Sequence, residues 1–397
     1  MTTDARETRD DRSRSARVAI GSVFFVNGVT FASWTPRLPE IQDRLDVSDT
    51  ALGVTLVGAG VGGLAASLVS GRLVDRFGSR TMTVCTSAAL SVCLPLMGVA
   101  PSAVLVFASL IVLGGLDGLT DVAMNAQAVE LQRRRGASIL SRFHALWSTG
   151  SVAGGLLASR AAEIGVELWI QLVITALVLV GLTVVASRWL LPAPPVAVRT
   201  PVAPERSWPR AILLRLLLVG LAVALAEAPP NEWAALLMQD RFDVGPGAAG
   251  LGFVAVAGGM LVGRLVGDHV TDRLGPEATR RGGAALAAVG VLVAALAPHP
   301  VLAGTGLLIT GLGLSSLFPL LFRAASDLTR GSHSGMAAFS SGARLGFLLA
   351  SPAIGLLAGG TSIAVAVLLV AGGSAVAVAA SRLPVAAARA LTVTPPA

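Results

Sequence analysis

Gln42-Asp43-Arg44-Leu45-Asp46-Val47 returns 197 positions later as Gln239-Asp240-Arg241-Phe242-Asp243-Val244. The offset is half of a 397-residue chain, so one unit is written twice. It also carries Asp75-Arg76-Phe77-Gly78 onto Asp272-Arg273-Leu274-Gly275, and Gly53 onto Gly250. Gly114 maps onto Gly311, Glu130 onto Asp327 and Arg133 onto Arg330, with no gap between residues 42 and 133. A duplicated, very apolar chain is the construction plan of many solute carriers, whose site lies between the repeats.

Composition settles the solvent. The chain is 54% hydrophobic and 13% charged, with 45 glycines and a mean hydropathy of +0.75, against about 25% charged residues in soluble domains. Residues 81–116, 282–322 and 345–381 contain no charged side chain. Each of these deserts is interrupted by turn formers (Pro101, Pro298-His299-Pro300, Gly359-Gly360-Thr361-Ser362) and therefore reads as a helical hairpin. Reading outward gives twelve spans near 16–36, 49–71, 81–100, 102–127, 138–158, 167–188, 211–234, 247–267, 280–297, 301–323, 335–357 and 362–382. Barrel strands are excluded because the runs are apolar all round. The expectation is an all-α membrane protein of twelve transmembrane helices in two six-helix halves. Residues 16–189 and 210–382 form the halves. A cytoplasmic linker covers 190–209, and short cytoplasmic tails cover 1–15 and 383–397.

Arginine sets the orientation, since the chain has no lysine. The tails and even-to-odd loops hold 25 arginines, whereas the odd-to-even loops hold four: Arg37, Arg44, Arg160 and Arg241. Arg344 is assigned to a span. The positive-inside rule then places both termini in the cytoplasm and the chain, multi-pass, in the cell (inner) membrane. Topology thus accounts for the net charge of +7, and no nucleic-acid partner is expected, because no basic face with interleaved aromatics exists. No cleavable signal peptide is read: residues 1–17 are a charged tail before a long apolar run. Cys85 and Cys93 fall on one helix about 12 Å apart, too far for a disulfide.

The loop after span two reads Gly71-Arg72-Leu73-Val74-Asp75-Arg76-Phe77-Gly78-Ser79-Arg80. Its glycines permit close helix approach and a turn at positive φ, and Asp75 suits the positive end of the next helix. Glu130 ends span four beside the Arg133–Arg135 cluster, and the repeat supplies Asp272-Arg273 and Asp327 with Arg330. Arginine alone would satisfy topology, so the repeated acidic partners ask for a role beyond it.

This loop resembles the signature Gly-x-x-x-Asp-Arg-x-Gly-x-Arg of the major facilitator superfamily, although the second copy has Asp268 where the first has Gly71. With the half-chain repeat, the resemblance covers essentially the whole chain. It implies that family's fold, a secondary transporter working by alternating access, and a cytoplasmic gate at Gly71, Asp75, Arg76, Gly78, Glu130, Arg133, Asp272, Arg273 and Asp327.

The membrane interior holds the polar candidates. Asp117, Asp121 and Asn125 recur every four residues, one face of span four. An ionised Asp at the bilayer centre costs about 2.5–3.5 kcal/mol, so such residues face a cavity or bond to neighbouring helices. In span seven, Glu227-Ala228-Pro229-Pro230-Asn231-Glu232-Trp233 contains two prolines that free earlier carbonyls. The segment reads either as a broken-helix binding element with Glu227 and Asn231, or as a break at the outer end of the span. His144 in span five either titrates or packs against Trp147. Arg344 is read as the sole intramembrane cation, needing Asp117, Asp121 or Glu227 as partner. Asn27 and Trp34 in span one add hydrogen bonds and a stacking face.

Asp121-Val122-Ala123-Met124-Asn125-Ala126-Gln127, with Phe143-His144-Ala145-Leu146-Trp147, resembles a bacterial branch of the superfamily similar to the fucose-permease-like group. That resemblance implies proton-coupled movement of a small organic solute. Asp117 or Asp121 is then the proton carrier, no cofactor beyond a proton gradient is needed, and the chain works as a monomer in the lipid bilayer. No nucleotide-binding loop is present. Gly150-x-x-x-Gly154-Gly155 is a fragment of an antiporter motif, but glycines at this spacing also pack helices with no transport meaning. Drug or metabolite efflux is therefore the alternative to uptake. A non-transporting membrane solute sensor is the remote alternative, expected to show a longer output tail than the short ones read here, and no enzyme is expected, since no nucleophile and base converge.

Overall fold

The computed structural model describes residues 3–135, 139–192, 208–329 and 333–381. Every regular element among them is helical. The first half holds α1 (Thr3–Ala32), a 3-10 turn (Thr35–Arg37), α2 (Leu38–Leu45), α3 (Asp49–Phe77), α4 (Ser79–Cys93) and α5 (Pro95–Val99). It continues with α6 (Ala103–Arg135), α7 (Leu140–Glu163) and α8 (Leu168–Ser187). The second holds α9 (Arg210–Phe242), α10 (Pro246–Leu274), α11 (Pro276–Leu296), α12 (Pro300–Leu314) and α13 (Leu317–Leu328). It ends with α14 (His333–Gly360), α15 (Ile363–Val367), a π-turn (Leu368–Gly372) and α16 (Gly373–Ala380). Prolines open α10, α11 and α12, where the missing N–H costs nothing.

Among the described residues, eleven helices, or nearly continuous helix pairs, are long and apolar enough to cross a membrane. The span expected at 138–158 corresponds to α7, 24 residues of more mixed composition packed between α1 and α10. Helices outrun the expected spans elsewhere: α3 continues to Phe77 and α6 to Arg135. The expected break in span seven is absent. α9 is one 33-residue helix with Pro229 and Pro230 inside it. Their rings leave the carbonyls of Leu225 and Ala226 without i+4 donors, but buried packing around Ala228, Pro229, Pro230 and Trp233 holds the helix together. Residues 193–207, most of the linker, and the tail beyond Ser381 lie outside the described residues.

The two halves pack by the same plan. α1 lies on α7 as α9 lies on α14; α3 on α6 as α10 on α12; α4 on α8 as α11 on α16. The duplicated hexapeptides sit at equivalent corners. Asp46 (φ 49°) and Asp243 (φ 48°) are left-handed C-caps, a conformation that Asp tolerates better than most residues. Arg44 donates to the carbonyls of Met97, Gly98 and Ala100 at the end of α5. Arg241 donates to Ala297 at the end of α11 (2.8 Å). Each arginine thereby serves carbonyls that its neighbouring helix cannot.

We name the side bearing these hexapeptides the turn face and the opposite side the terminal face. At the turn face the halves share one apolar core, in which Trp34, Leu38, Ile41 and Leu52 meet Trp233, Leu236, Leu237 and Ile354. Toward the terminal face each half keeps its own cluster, around Phe24 and Phe143 in the first and around Phe339 and Leu317 in the second. The most extensive helix pairs across the boundary are α3 with α14 and α7 with α10, and α2 also meets α9. Gly53 and Gly355 let α3 and α14 touch: a Cβ on Gly53 would stand 2.5 Å from the Ser351 carbonyl oxygen. Thr50 Oγ1 donates to the Gly355 carbonyl (2.9 Å), and Gln239 Nε2 donates to Asp43 Oδ2 (3.1 Å).

A Gly53→Val substitution is expected to wedge α3 from α14 at this face. In a background lacking Cys85 and Cys93, a Leu236→Cys reporter, buried here, should then react several-fold faster with an impermeant maleimide. Unchanged reactivity would mean that the contact yields without unsealing the face.

Candidate functional site

The polar candidates come together where α1, α6 and α7 of the first half face α9 and α10 of the second. Asn27 is the junction. Its Nδ2 donates to Asp117 Oδ1 (2.7 Å), and its Oδ1 accepts from Trp147 Nε1 (2.8 Å). Gly28 makes this reach possible, since a Cβ there would fall 2.1 Å from the Trp147 carbonyl oxygen. Asn27 is 5% exposed, so losing either partner would leave a buried amide atom unpaired.

Trp147 carries the chain of contacts into the second half. The Arg264 guanidinium lies over its ring, 5.5 Å from the centroid, and donates to Ser148 Oγ. Arg264 sits about 15 Å inside the terminal end of α10. Glu227 on α9 and His144 on α7 both lie within its electrostatic reach, without a direct ion pair. The contacts therefore run from Asp117 through Asn27, Trp147 and Arg264 toward Glu227 and cross the boundary between the halves.

One turn further along α6, Asp121 accepts from Asn125 Nδ2 (2.9 Å) and feels the charge of Asp117. Asp117 and Asp121 both keep exposed surface rather than lying in packed core, and Asp117 lines a cavity. The i, i+4, i+8 face read from sequence is thus brought together. Asn231 donates to the Glu227 carbonyl (2.8 Å) and approaches Met260 Sδ (3.9 Å). His144 meets Phe24 edge-on at 5.4 Å.

A cavity of about 180 Å³ lies beside Asp117 toward the turn face. Phe31, Trp34, Leu56, Leu90, Leu110 and Leu113 give it an apolar wall, and Asp117 and Glu232 are its carboxylates. Glu232 accepts a hydrogen bond from Ser351 Oγ, which in turn accepts from Trp233 Nε1 (3.0 Å).

Two expectations need correcting. Arg344 is exposed and makes no ion pair with Asp117, Asp121 or Glu227; the cation at the boundary is Arg264. The arginine count groups Arg264 with the loops although it falls inside the expected span 247–267, and the structure places it ten residues before the end of α10. Glu232 is hidden in the sequence beside the two prolines, yet its spacing of five from Glu227 is a visible signal. Ser148 and Ser351 carry none.

The expected gate is only partly assembled. Gly78 (φ 81°) and Gly275 (φ 83°) make equivalent turns before Ser79 and Pro276. Glu130 pairs with Arg134 (2.7 Å), one residue beyond Arg133, and Asp327 lies 3.8 Å from Arg323. Both pairs stay within one helix and so do not link the halves. Gly71, Arg76, Asp272 and Arg273 are exposed, with Arg76 over the Phe77 ring, and Asp75 is not unpartnered. Arg330 lies outside the described residues.

This architecture, with polar side chains joined across two helical repeats, defines a multi-pass membrane transporter. The family model described as Major Facilitator Superfamily matches residues 20–337, and the chain belongs to that family. An uncharacterised transporter of this type from Yersinia pestis is 28% identical over 353 residues, covering 89% of this chain and 91% of the relative. Membrane protein MosC of Rhizobium meliloti is 28% identical over 346 residues, covering 86% and 83%. Among solved structures, the nucleoside transporter NupG superposes with a TM-score of 0.70 at 14% identity, over 92% of this chain and 97% of that one. The human organic anion transporter MFSD10 gives 0.68 at 15% identity, over 92% and 98%. Family and neighbours point to a transporter rather than an enzyme.

Asn27→Ala removes a bond at both ends of the junction and is expected to cost about 1–3 kcal/mol. Thr30→Ala is the control, because its equally buried hydroxyl only returns to Val26 of its own helix (2.9 Å). The measurement is the thermal unfolding midpoint in detergent; equal shifts for the two variants would deny the junction a structural role.

Proposed function

We propose that this chain is a secondary active transporter moving a small organic solute across the cytoplasmic membrane by alternating access, coupled to the proton gradient. α7 is counted as a twelfth span, and the excess of arginines near the terminal face orients both termini toward the cytoplasm. The observation that carries the reading is the contact series Asp117–Asn27–Trp147–Arg264, which reaches from one half into the other. Rocking of one half against the other would break and remake that series, so any proton or solute bound there is coupled to the motion.

Asp117 and Asp121 are the proposed proton carriers, one helical turn apart on an accessible wall and close enough to repel when both are charged. Arg264 replaces Arg344 as the charge that answers an ionised carboxylate. Efflux by proton exchange is the second reading, favoured by the apolar wall of the 180 Å³ cavity, which suits a less polar solute than a sugar. Organic anions, the solutes for which MFSD10 is named, fit poorly, since Asp117, Asp121, Glu227 and Glu232 outnumber Arg264 around the boundary.

Proteoliposomes containing the purified protein, screened with sugars, nucleosides and amphiphilic amines, should show solute-dependent proton movement. Asp117→Asn or Asp121→Asn should slow it by at least about tenfold, a loss of about 1.4 kcal/mol at the barrier. Solute crossing equally well in both variants would leave a uniporter in place of this reading. The sign of proton movement relative to solute separates uptake from efflux.

A further inference from the structure

The cavity between α1, α3, α4, α6 and α9 has an unusual charge balance. It has two carboxylates, Asp117 from the first half and Glu232 from the second, and no cation on its wall. Asp117 uses Oδ1 to accept from Asn27, and its Oδ2 has no partner among the described residues. Glu232 uses Oε2 to accept from Ser351, and its Oε1 likewise has none. Both hydrogen-bond donors are neutral, an amide and a hydroxyl. Arg264 is directed elsewhere, onto Trp147 and Ser148. Arg37 is buried but committed to Glu40, Gln171 and the Val166 carbonyl (2.7 Å). Two carboxylates therefore line one apolar-walled space, and each keeps an oxygen that no described residue answers.

We infer that this cavity binds a small organic ammonium, its charged nitrogen held between Asp117 and Glu232 and its apolar body against Trp34, Phe31 and the surrounding leucines. The inference rests on the transporter reading and adds the solute class to it. An ammonium supplies the donors that the two free oxygens lack, and charge-assisted bonds of this kind are about twice as strong as neutral ones. Trp34 and Phe31 pack edge to face, 6.1 Å between centroids, and present aromatic surface to a cation. An anion would meet two like charges. A neutral alcohol fills the volume but leaves the carboxylates without a counter-charge. Because the two anchors come from different halves, a bound ammonium also ties the halves together, as a transported solute must.

Three probes of one shape and different charge test this: benzylamine, benzyl alcohol and benzoate. Binding is read from the intrinsic fluorescence of the purified protein in detergent, since Trp34 lines the space. Benzylamine, protonated at neutral pH, should bind saturably and at least about tenfold more tightly than benzyl alcohol, a gap of about 1.4 kcal/mol. Benzoate should not bind. Asp117→Asn and Glu232→Gln should each weaken benzylamine by a similar factor without changing benzyl alcohol, which shows that the variants are still folded. Glu163→Gln, an exposed surface carboxylate, should change neither. Equal binding of benzylamine and benzyl alcohol, preference for benzoate, or no saturable binding by any probe would overturn the inference. If proton-coupled flux of another solute is found while amines do not bind, the solute class alone fails. If benzylamine binds as described but nothing is transported, the site stands and the transporter reading fails.

Discussion

Charge held at membrane depth is the constraint on which the rest of this molecule depends. Asp117 and Asp121 stand on α6 far from either face, where an unanswered charge costs several kcal/mol. The fold answers part of that cost with neutral donors: Asn27 for Asp117 and Asn125 for Asp121. Arg264 is offset by Glu227 in electrostatic reach and by the face of Trp147. The close approach of α1 and α7 at Gly28, and the unbroken course of α9 past its prolines, serve to bring these groups into one region.

Duplication and function are distributed differently along the chain. The repeat preserves scaffold: the Gln-Asp-Arg corners, the left-handed aspartates, the Asp-Arg-x-Gly turns and the order of helix packing. It does not preserve the polar site. At the 197-residue offset, Asp117 meets Leu314, Asp121 meets Phe318 and Arg264 meets Ser67. A symmetric frame thus surrounds an asymmetric interior, with carboxylates on α6 answered by aliphatic and aromatic side chains on α12 and α13.

Much of this is legible in the sequence. Helical membrane architecture follows from the charge deserts, and the shared face of Asp117, Asp121 and Asn125 follows from helical spacing. What fails does so for physical reasons. Hydropathy marks where a helix leaves the apolar layer, not where it ends, so α3, α6 and α10 run past their expected limits. Proline removes a donor locally, but it breaks a helix only if packing permits, and around Pro229 and Pro230 packing does not. α7 is polar enough that composition alone separates it from the other spans. Ser148 is an ordinary helix serine until Arg264 of the opposing half reaches it, and Ser351 until α9 packs on α14.

The core shared at the turn face also bears on how the molecule is made. Trp34, Leu38, Ile41 and Leu52 emerge from the ribosome long before Trp233, Leu236 and Ile354, which cover them. Until α9 and α14 arrive, the first half carries a large uncovered apolar surface at the edge of the lipid, together with Asn27 and Asp117. The first half is therefore an unfinished object during synthesis, and its partner repeat acts as the last step of its folding as well as a second wall of the cavity.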